Sequence, residues 1–252
     1  MKSITLSLIV WIVSLSLFSC MGSDTEKHTY YRYGVAVLQP VPALYTNDGN
    51  NREGDFITSP AIESLVGLKE GDCFQVEFIA GLDELPANKT YQAELTRLDT
   101  VPLWPLHTEL TDTAGVWAEE EYIKLTSFSK SRIIRNRFFL LTDHSPLIDQ
   151  EKHTLDLSYD PEELQLDTLS GIKYYNLFLR STRHSETTDT IGTKWVQANA
   201  FDFAPFIRRQ KEVGADSLYF RINYPSKLNA NKSGYLWERT GMFAVKLSEL
   251  PE

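Results

Sequence analysis

Residues 217–224 read SLYFRINY, with Leu218, Phe220, Ile222 and Tyr224 at every second position and Tyr219, Arg221 and Asn223 between them. Side chains alternate across an extended chain, so this spacing turns one apolar face to a core and the other to water. The same period runs through HTLDLSYD (153–160), where Leu155, Leu157 and Tyr159 oppose Thr154, Asp156 and Ser158. Weaker alternation recurs in TYQAELTRL (90–98) and GMFAVKLS (241–248). RFFLLTD (137–143) is apolar on both faces, the pattern of a central strand. From Tyr30 onward a period of two dominates, and the chain is expected to be all-β with about a dozen strands.

Helix signals are short. In SPAIESLVGLKEGD (59–72), Ser59 is placed to cap, Pro60 takes the first helical position and Gly67 ends the turn. PFIRRQKEVG (205–214) is a second brief helix. The segment LWPLHTELTDTAGVW (103–117) brings proline, turn residues and Gly115 between two strand-rich halves, which suggests a boundary. The half from 28 to 112 has the length and strand count of a small barrel. The half from 113 to 252 has the regularly spaced short strands of a β-sandwich.

The N-terminus is read as an export address. Lys2 precedes an apolar run, Ile4 to Phe18, that is shorter than the ~20 residues a spanning helix needs. Ser19 and then Cys20 follow, so residues 1–19 have the layout of a signal peptide. Leu17-Phe18-Ser19-Cys20 resembles a bacterial lipobox, although Phe18 is an unusual occupant of its middle position. Cys20 is accordingly expected to carry lipid, with residues 20–27 as a polar tether. Each buried methylene of an acyl chain contributes about 0.8 kcal/mol, so several chains on one cysteine hold a protein durably at a membrane. Met21, rather than an acid, follows Cys20, which favours the outer membrane and leaves periplasmic face and cell surface both open.

The chain has 252 residues, with 25 Lys+Arg against 34 Asp+Glu and a formal net charge of −9. An acidic surface without a basic stripe repels phosphate backbones, so nucleic acid is not an expected partner. Cys73 is the one cysteine besides Cys20, so no disulfide framework is available. It lies in GDCFQVEF beside alternating Phe74, Val76 and Phe78, the setting of a small packed residue rather than a reactive thiol.

Each candidate for chemistry meets a plainer explanation. DHSPLIDQEKH (143–153) carries Asp143, His144, Asp149 and His153, but their spacing matches no zinc pattern and reads as a solvated loop. NDGNNREGD (47–55) is rich in oxygen ligands, yet Arg52 and Glu53 occupy the places where an EF-hand needs other residues. Glu119, Glu120 and Glu121 are consecutive, so on a strand they point to opposite faces and make no acid/base pair. No nucleophile elbow or phosphate-binding glycine loop occurs. No catalytic residue, metal site or cofactor is therefore expected. Trp104, Trp117, Trp195 and Trp237 could form a platform for sugar or peptide, but packing accounts for most aromatics in a β protein. Trp104 and Trp117 flank the boundary and are inter-domain packing candidates first.

The segment LKEGDCFQVEFIAGLDELPANKTYQAELTRLDTVPLWPL (68–106) resembles the N-terminal domain of NigD-like proteins of Bacteroidetes. EEEYIKLTSFSKS, RFFLLTD, LDLSYD, YYNLFLRSTRHSE and QANAFDFAPF through SLYFRINY follow in the order of that family's C-terminal domain. The resemblance implies an OB-like barrel, then a β-sandwich, on an outer-membrane lipid anchor; it supplies no catalytic residues. The family takes its name from a bacteriocin locus, which implies an alternative role in immunity or self-protection.

Asp-Thr or Asp-Ser followed by a small or aliphatic residue occurs at Thr100, Thr113, Thr168, Thr190 and Ser217, and resembles the O-glycosylation acceptor pattern of exported Bacteroidetes proteins. Asp-Thr is also a natural turn-to-strand junction, and only exposed members could be modified. The resulting expectation is a non-enzymatic envelope lipoprotein that binds a protein, peptide or glycan. A hydrolase with scattered site residues is a third reading, which the missing motifs disfavour. Nothing in the sequence marks an oligomeric state.

Overall fold

The structure is a computed structural model, and it describes residues 27–46, 54–81, 90–111, 115, 123–125, 131–144, 152–184, 195–231 and 234–250. The signal segment, Cys20, the tether as far as Glu26, Thr113, Trp117, Glu119 to Glu121, Asp149, Thr190 and the loop from Asn47 to Glu53 lie outside these residues. The described chain is all-β: sixteen strands, two α-helices and a 3-10 turn at Leu247–Glu249. Among the described residues no helix is long and apolar enough to cross a membrane.

Six strands build the first sheet: β1 (Lys27–Val37), β2 (Ala43–Thr46), β3 (Asp55–Thr58), β4 (Cys73–Gly81), β5 (Thr90–Gln92) and β6 (Glu94–Val101). Their order is β5-β3-β2-β1-β4-β6. Ala93 alone separates β5 from β6, so one kinked strand supplies both ends of the path. Its first part runs parallel to β3 through Phe56–Thr90, Ile57–Tyr91 and Thr58–Gln92, and its second part runs antiparallel to β4. The sheet thereby curls round on itself as an OB-like barrel, with helix α1 (Pro60–Glu63) between its third and fourth strands. Ser59 caps α1 by accepting from the Ala61 amide at 3.3 Å, and Gly67 takes the left-handed conformation, φ +79°, as its sequence predicts.

Inward-facing residues fill the barrel: Ala36, Leu44, Ile57, Phe74, Val76, Phe78 and Tyr91 form its core. Arg32 closes one end of that core. Its guanidinium donates to Asp55 at 2.9 Å and to the Tyr91 hydroxyl at 3.1 Å, and lies 5.7 Å from the ring centres of both Tyr30 and Phe78. A charge this deep persists because ion pair, hydrogen bonds and ring faces together replace its water.

The chain leaves the first sheet at Val101 and enters the second at Leu103. The second has β7 (Leu103–His107), β8 (Lys124–Leu125), β9 (Arg132–Ile134), β10 (Arg137–His144), β11 (Lys152–Leu166), β12 (Lys173–His184), β13 (Trp195–Asp202), β14 (Ser217–Leu228), β15 (Tyr235–Arg239) and β16 (Phe243–Lys246). The path is β15-β14-β12-β11-β7-β13-β10-β8, with β16 on β14 and β9 on β10. β7 is its corner: residues 103–105 pair in parallel with β13, and Leu106 and His107 pair in parallel with β11. On one side of this corner β10 and β13 supply Phe138, Leu140 and Phe201. On the other, β11, β12 and β14 supply Leu155, Leu157, Tyr159, Leu177, Leu179, Leu218, Phe220 and Ile222. All are buried in one core, the filling of a sandwich.

Helix α2 (Ala204–Glu212) plugs an end of this core with Phe206 and Ile207. The Phe206 ring sits 4.4 Å from that of Tyr159, and Gln210 donates to the Tyr175 hydroxyl at 3.0 Å.

Candidate functional site: the seam between barrel and sandwich

β10 is apolar on both faces because both are covered. Phe138 and Leu140 face the sandwich core, while Phe139 and Leu141 face the barrel. A third core joins the two bodies, with Val35, Val37, Tyr45, Cys73 and Val101 from the barrel against Ile134, Phe139, Ala198 and Ala200 from the sandwich. Small Ala198 and Ala200 on β13 let the barrel wall approach. The Tyr33 ring stacks on Phe139 with centres 4.8 Å apart and planes 10° from parallel. Close packing over an apolar seam of this kind resists sliding and hinging.

At one end the seam is polar. Arg137, two residues before Phe139, pairs with Asp202 and reaches the Gly71 carbonyl at 3.5 Å. Glu70 accepts from the Leu38 amide at 2.8 Å with one oxygen and meets Arg135 at 3.6 Å with the other. Arg135 also lies over the Tyr45 ring, 5.9 Å from its centre. Cys73 is buried beneath this clamp; burial pushes its thiol up to about 12, and the Arg137 guanidinium offsets only part of that rise. It is a packed, protonated thiol and not a nucleophile at neutral pH.

At the other end the seam opens into a cleft of about 250 Å³ lined by Tyr31, Arg32 and Tyr33 of β1, Gln75 of β4, Arg132 of β9 and Leu141 of β10. Strand register explains the lining. Gln75 pairs with Tyr33 on the barrel wall, and Arg132 pairs with Phe139 on the sandwich wall, so each shares a face with the stacked rings. Leu141 follows Phe139 along the same face and pairs with Ala198. Val196, next along that face of β13, is 55% exposed, and Tyr31 across the cleft is 68% exposed. An apolar strip thus runs from the closed seam out into water. Burial pushes the Tyr33 hydroxyl up to about 12 against the pull of Arg132, so it stays a hydrogen-bond donor at neutral pH.

The residues singled out from the sequence fall elsewhere. Trp104 turns into the sandwich core, where its indole N–H donates to Asn199 Oδ1 at 3.0 Å, and Asn199 in turn donates to Thr142 at 2.9 Å. Trp237 packs edge-on to Phe178 at 5.6 Å, and Trp195 opens β13. Thr100 is exposed on β6, Thr168 is exposed in the turn after β11, and Ser217 is half-buried at the start of β14. Asp143 and His144 end β10, and His153 is the second residue of β11. Among the described residues no three His, Cys, Asp or Glu side chains gather as metal ligands. Ser158, placed by its alternation on a solvent face, is fully buried, because the chain after β7 folds over it and the Thr111 amide donates to its hydroxyl at 3.2 Å.

None of the cleft residues was singled out for binding in the sequence. The local signal was the run TYYRYG (29–34), which puts tyrosines on both faces of one strand.

No family model matches the chain, and no curated protein matches it. Solved structures do. An uncharacterized protein from Parabacteroides merdae shares 15% identity, covers 86% of this chain and 99% of its own, and superposes with a TM-score of 0.66. A candidate lipoprotein from Bacteroides fragilis shares 12% identity over 87% of this chain and 98% of its own, with a TM-score of 0.54. At these identities the likeness is one of fold. A NigD-like immunity protein from Bacteroides caccae is also among the matches, at 11% identity, 87% and 97% coverage and a TM-score of 0.48. The fold is shared with the Parabacteroides merdae and Bacteroides fragilis proteins.

Proposed function

We propose that the chain is a lipid-anchored protein of the bacterial envelope, in the outer membrane, that works by holding a partner and not by turning over a substrate. The observation that carries this reading is the cleft at the seam, where two bodies locked by a common core expose Tyr31, Gln75, Arg132 and Leu141 together. Preorganised walls lower the ordering cost of binding, and an aromatic with an arginine is the pairing that interfaces favour. The lipobox-like ending at Cys20 supplies the anchor, and a candidate lipoprotein among the structures of like fold is in keeping with it. Exposed Thr100 and Thr168 are the accessible glycan acceptors in this reading.

The test has two arms on the intact protein in its native envelope. Wild type is expected to fractionate with membranes carrying acyl groups on Cys20, and Cys20→Ser to be released. Affinity capture is expected to retain a discrete partner that Tyr31→Ala loses while remaining folded. A partner held equally by Tyr31→Ala would overturn the cleft as the binding site.

A further inference from the structure

The barrel wall of the cleft continues toward the start of β1. Tyr33, Tyr31, Thr29 and Lys27 alternate along the outer face of that strand, since Tyr30 and Ala36 turn the other way into the barrel core. Register sets Glu77 and Ile79 of β4 beside Tyr31 and Thr29, and Arg97 and Glu94 of β6 beside those. Tyr31 and Thr29 are exposed. The surface is therefore one strip, from the mouth of the cleft to the end of the barrel where the chain enters from Cys20.

The length of that entry bounds where the strip can stand. Lys27 lies seven residues beyond Cys20, so no conformation of the intervening chain spans more than about 25 Å. Tyr31 is four residues further along β1, a rise of about 13 Å. The cleft thus stays within about 40 Å of an anchor at Cys20, and the strip leads from it back toward the anchored end.

Resting on Cys20 being the anchor and the cleft the binding site, we infer that the partner is a protein embedded in the same membrane, which docks the part that leaves the bilayer along Tyr31 and Thr29. Whatever covers the strip stands between the cleft and the anchored end, the space a membrane-embedded protein fills. Lipid headgroups fit it less well. Anionic lipid draws clustered lysines and arginines, whereas Lys27 and Arg97 here alternate with Glu77 and Glu94, and Arg97 is already paired with Asp99. A short tether on one partner and a membrane span on the other confine both to a thin layer, which raises their effective concentration without any added contact.

The experiment uses the full chain in living cells with a photo-crosslinking amino acid at Tyr31 or, in a second variant, at Thr29. Both positions are expected to give the same protein adduct, whose partner resists extraction by alkaline carbonate as an integral membrane protein does. A third variant keeps the probe at Tyr31 and carries 28 Gly/Ser residues inserted between Glu26 and Lys27, which makes the tether about fivefold longer. Effective concentration falls roughly as the −3/2 power of linker length, so the adduct yield is expected to drop by up to about tenfold. A partner that carbonate releases, adducts to lipid alone, or equal yield from both tethers would overturn the inference. The broader reading fails separately: an adduct from Tyr31 to a soluble protein leaves the cleft as the binding site and removes only the embedded partner, whereas no adduct from Tyr31 removes both.

Discussion

Cys73 shows how far a single side chain's setting governs its behaviour. Its burial raises the thiol to about 12, and burial likewise carries the hydroxyls of Tyr33, Tyr159 and Tyr224 up to about 12. In the unfolded chain thiols titrate near pH 8.5 and phenols near 10. Below about pH 8.5 both states hold these protons and the contribution to stability is intact. As pH rises from there toward 12 the unfolded chain loses protons that the folded one retains, and stability falls. Denaturation midpoints should therefore decline above about pH 8.5, and Cys73→Ala should flatten the first part of that decline. An unchanged slope would contradict the assignment. Asn199 makes the complementary case for polar groups. It is fully buried and joins Trp104 to Thr142, so Asn199→Ala takes the acceptor from the Trp104 indole N–H and the donor from the Thr142 hydroxyl, and should cost about 1–3 kcal/mol in urea unfolding. The residues of the cleft resist sequence reading for a physical reason. Tyr31, Gln75, Arg132 and Leu141 come from four strands, and each sits in ordinary alternation. Only the register of two separate sheets assembles them.

Among the elements, β14 and β11 were legible because a buried face leaves its period in the chain; Leu218, Phe220, Ile222, Leu155, Leu157 and Tyr159 are all in the sandwich core. β10 was legible as a central strand, but not why: its second face meets a different body, which no local pattern can announce. β7 was hidden. Its exposed positions, Leu103, Pro105 and His107, alternate with only two half-buried residues, Trp104 and Leu106, so a five-residue parallel strand with a proline looks like a connection. The kink at Ala93, by which one strand closes the barrel, was equally invisible in a weakly alternating run. Phe139 tests what β10 does. It is fully buried in the seam, so Phe139→Ala should cost about 3–5 kcal/mol and should lower the stability of both bodies together. Hydrogen exchange would read this directly. Loss of protection confined to β8–β10 and β13, with the barrel strands untouched, would show that the seam does not couple them.

At the scale of the whole molecule, barrel and sandwich share a core, a polar clamp at one end of it and a cleft at the other. The clamp and the apolar seam fix the cleft walls relative to each other, and the proposed anchor at Cys20 holds the assembly in the envelope. The most direct measurement places a photo-crosslinking amino acid at Tyr31 in the full chain in living cells, with the same probe at the fully exposed Val66, outside the cleft, as reference. Illumination should give one discrete envelope adduct from position 31 that is absent from position 66. No adduct at position 31, or the same adducts from both positions, would contradict the account.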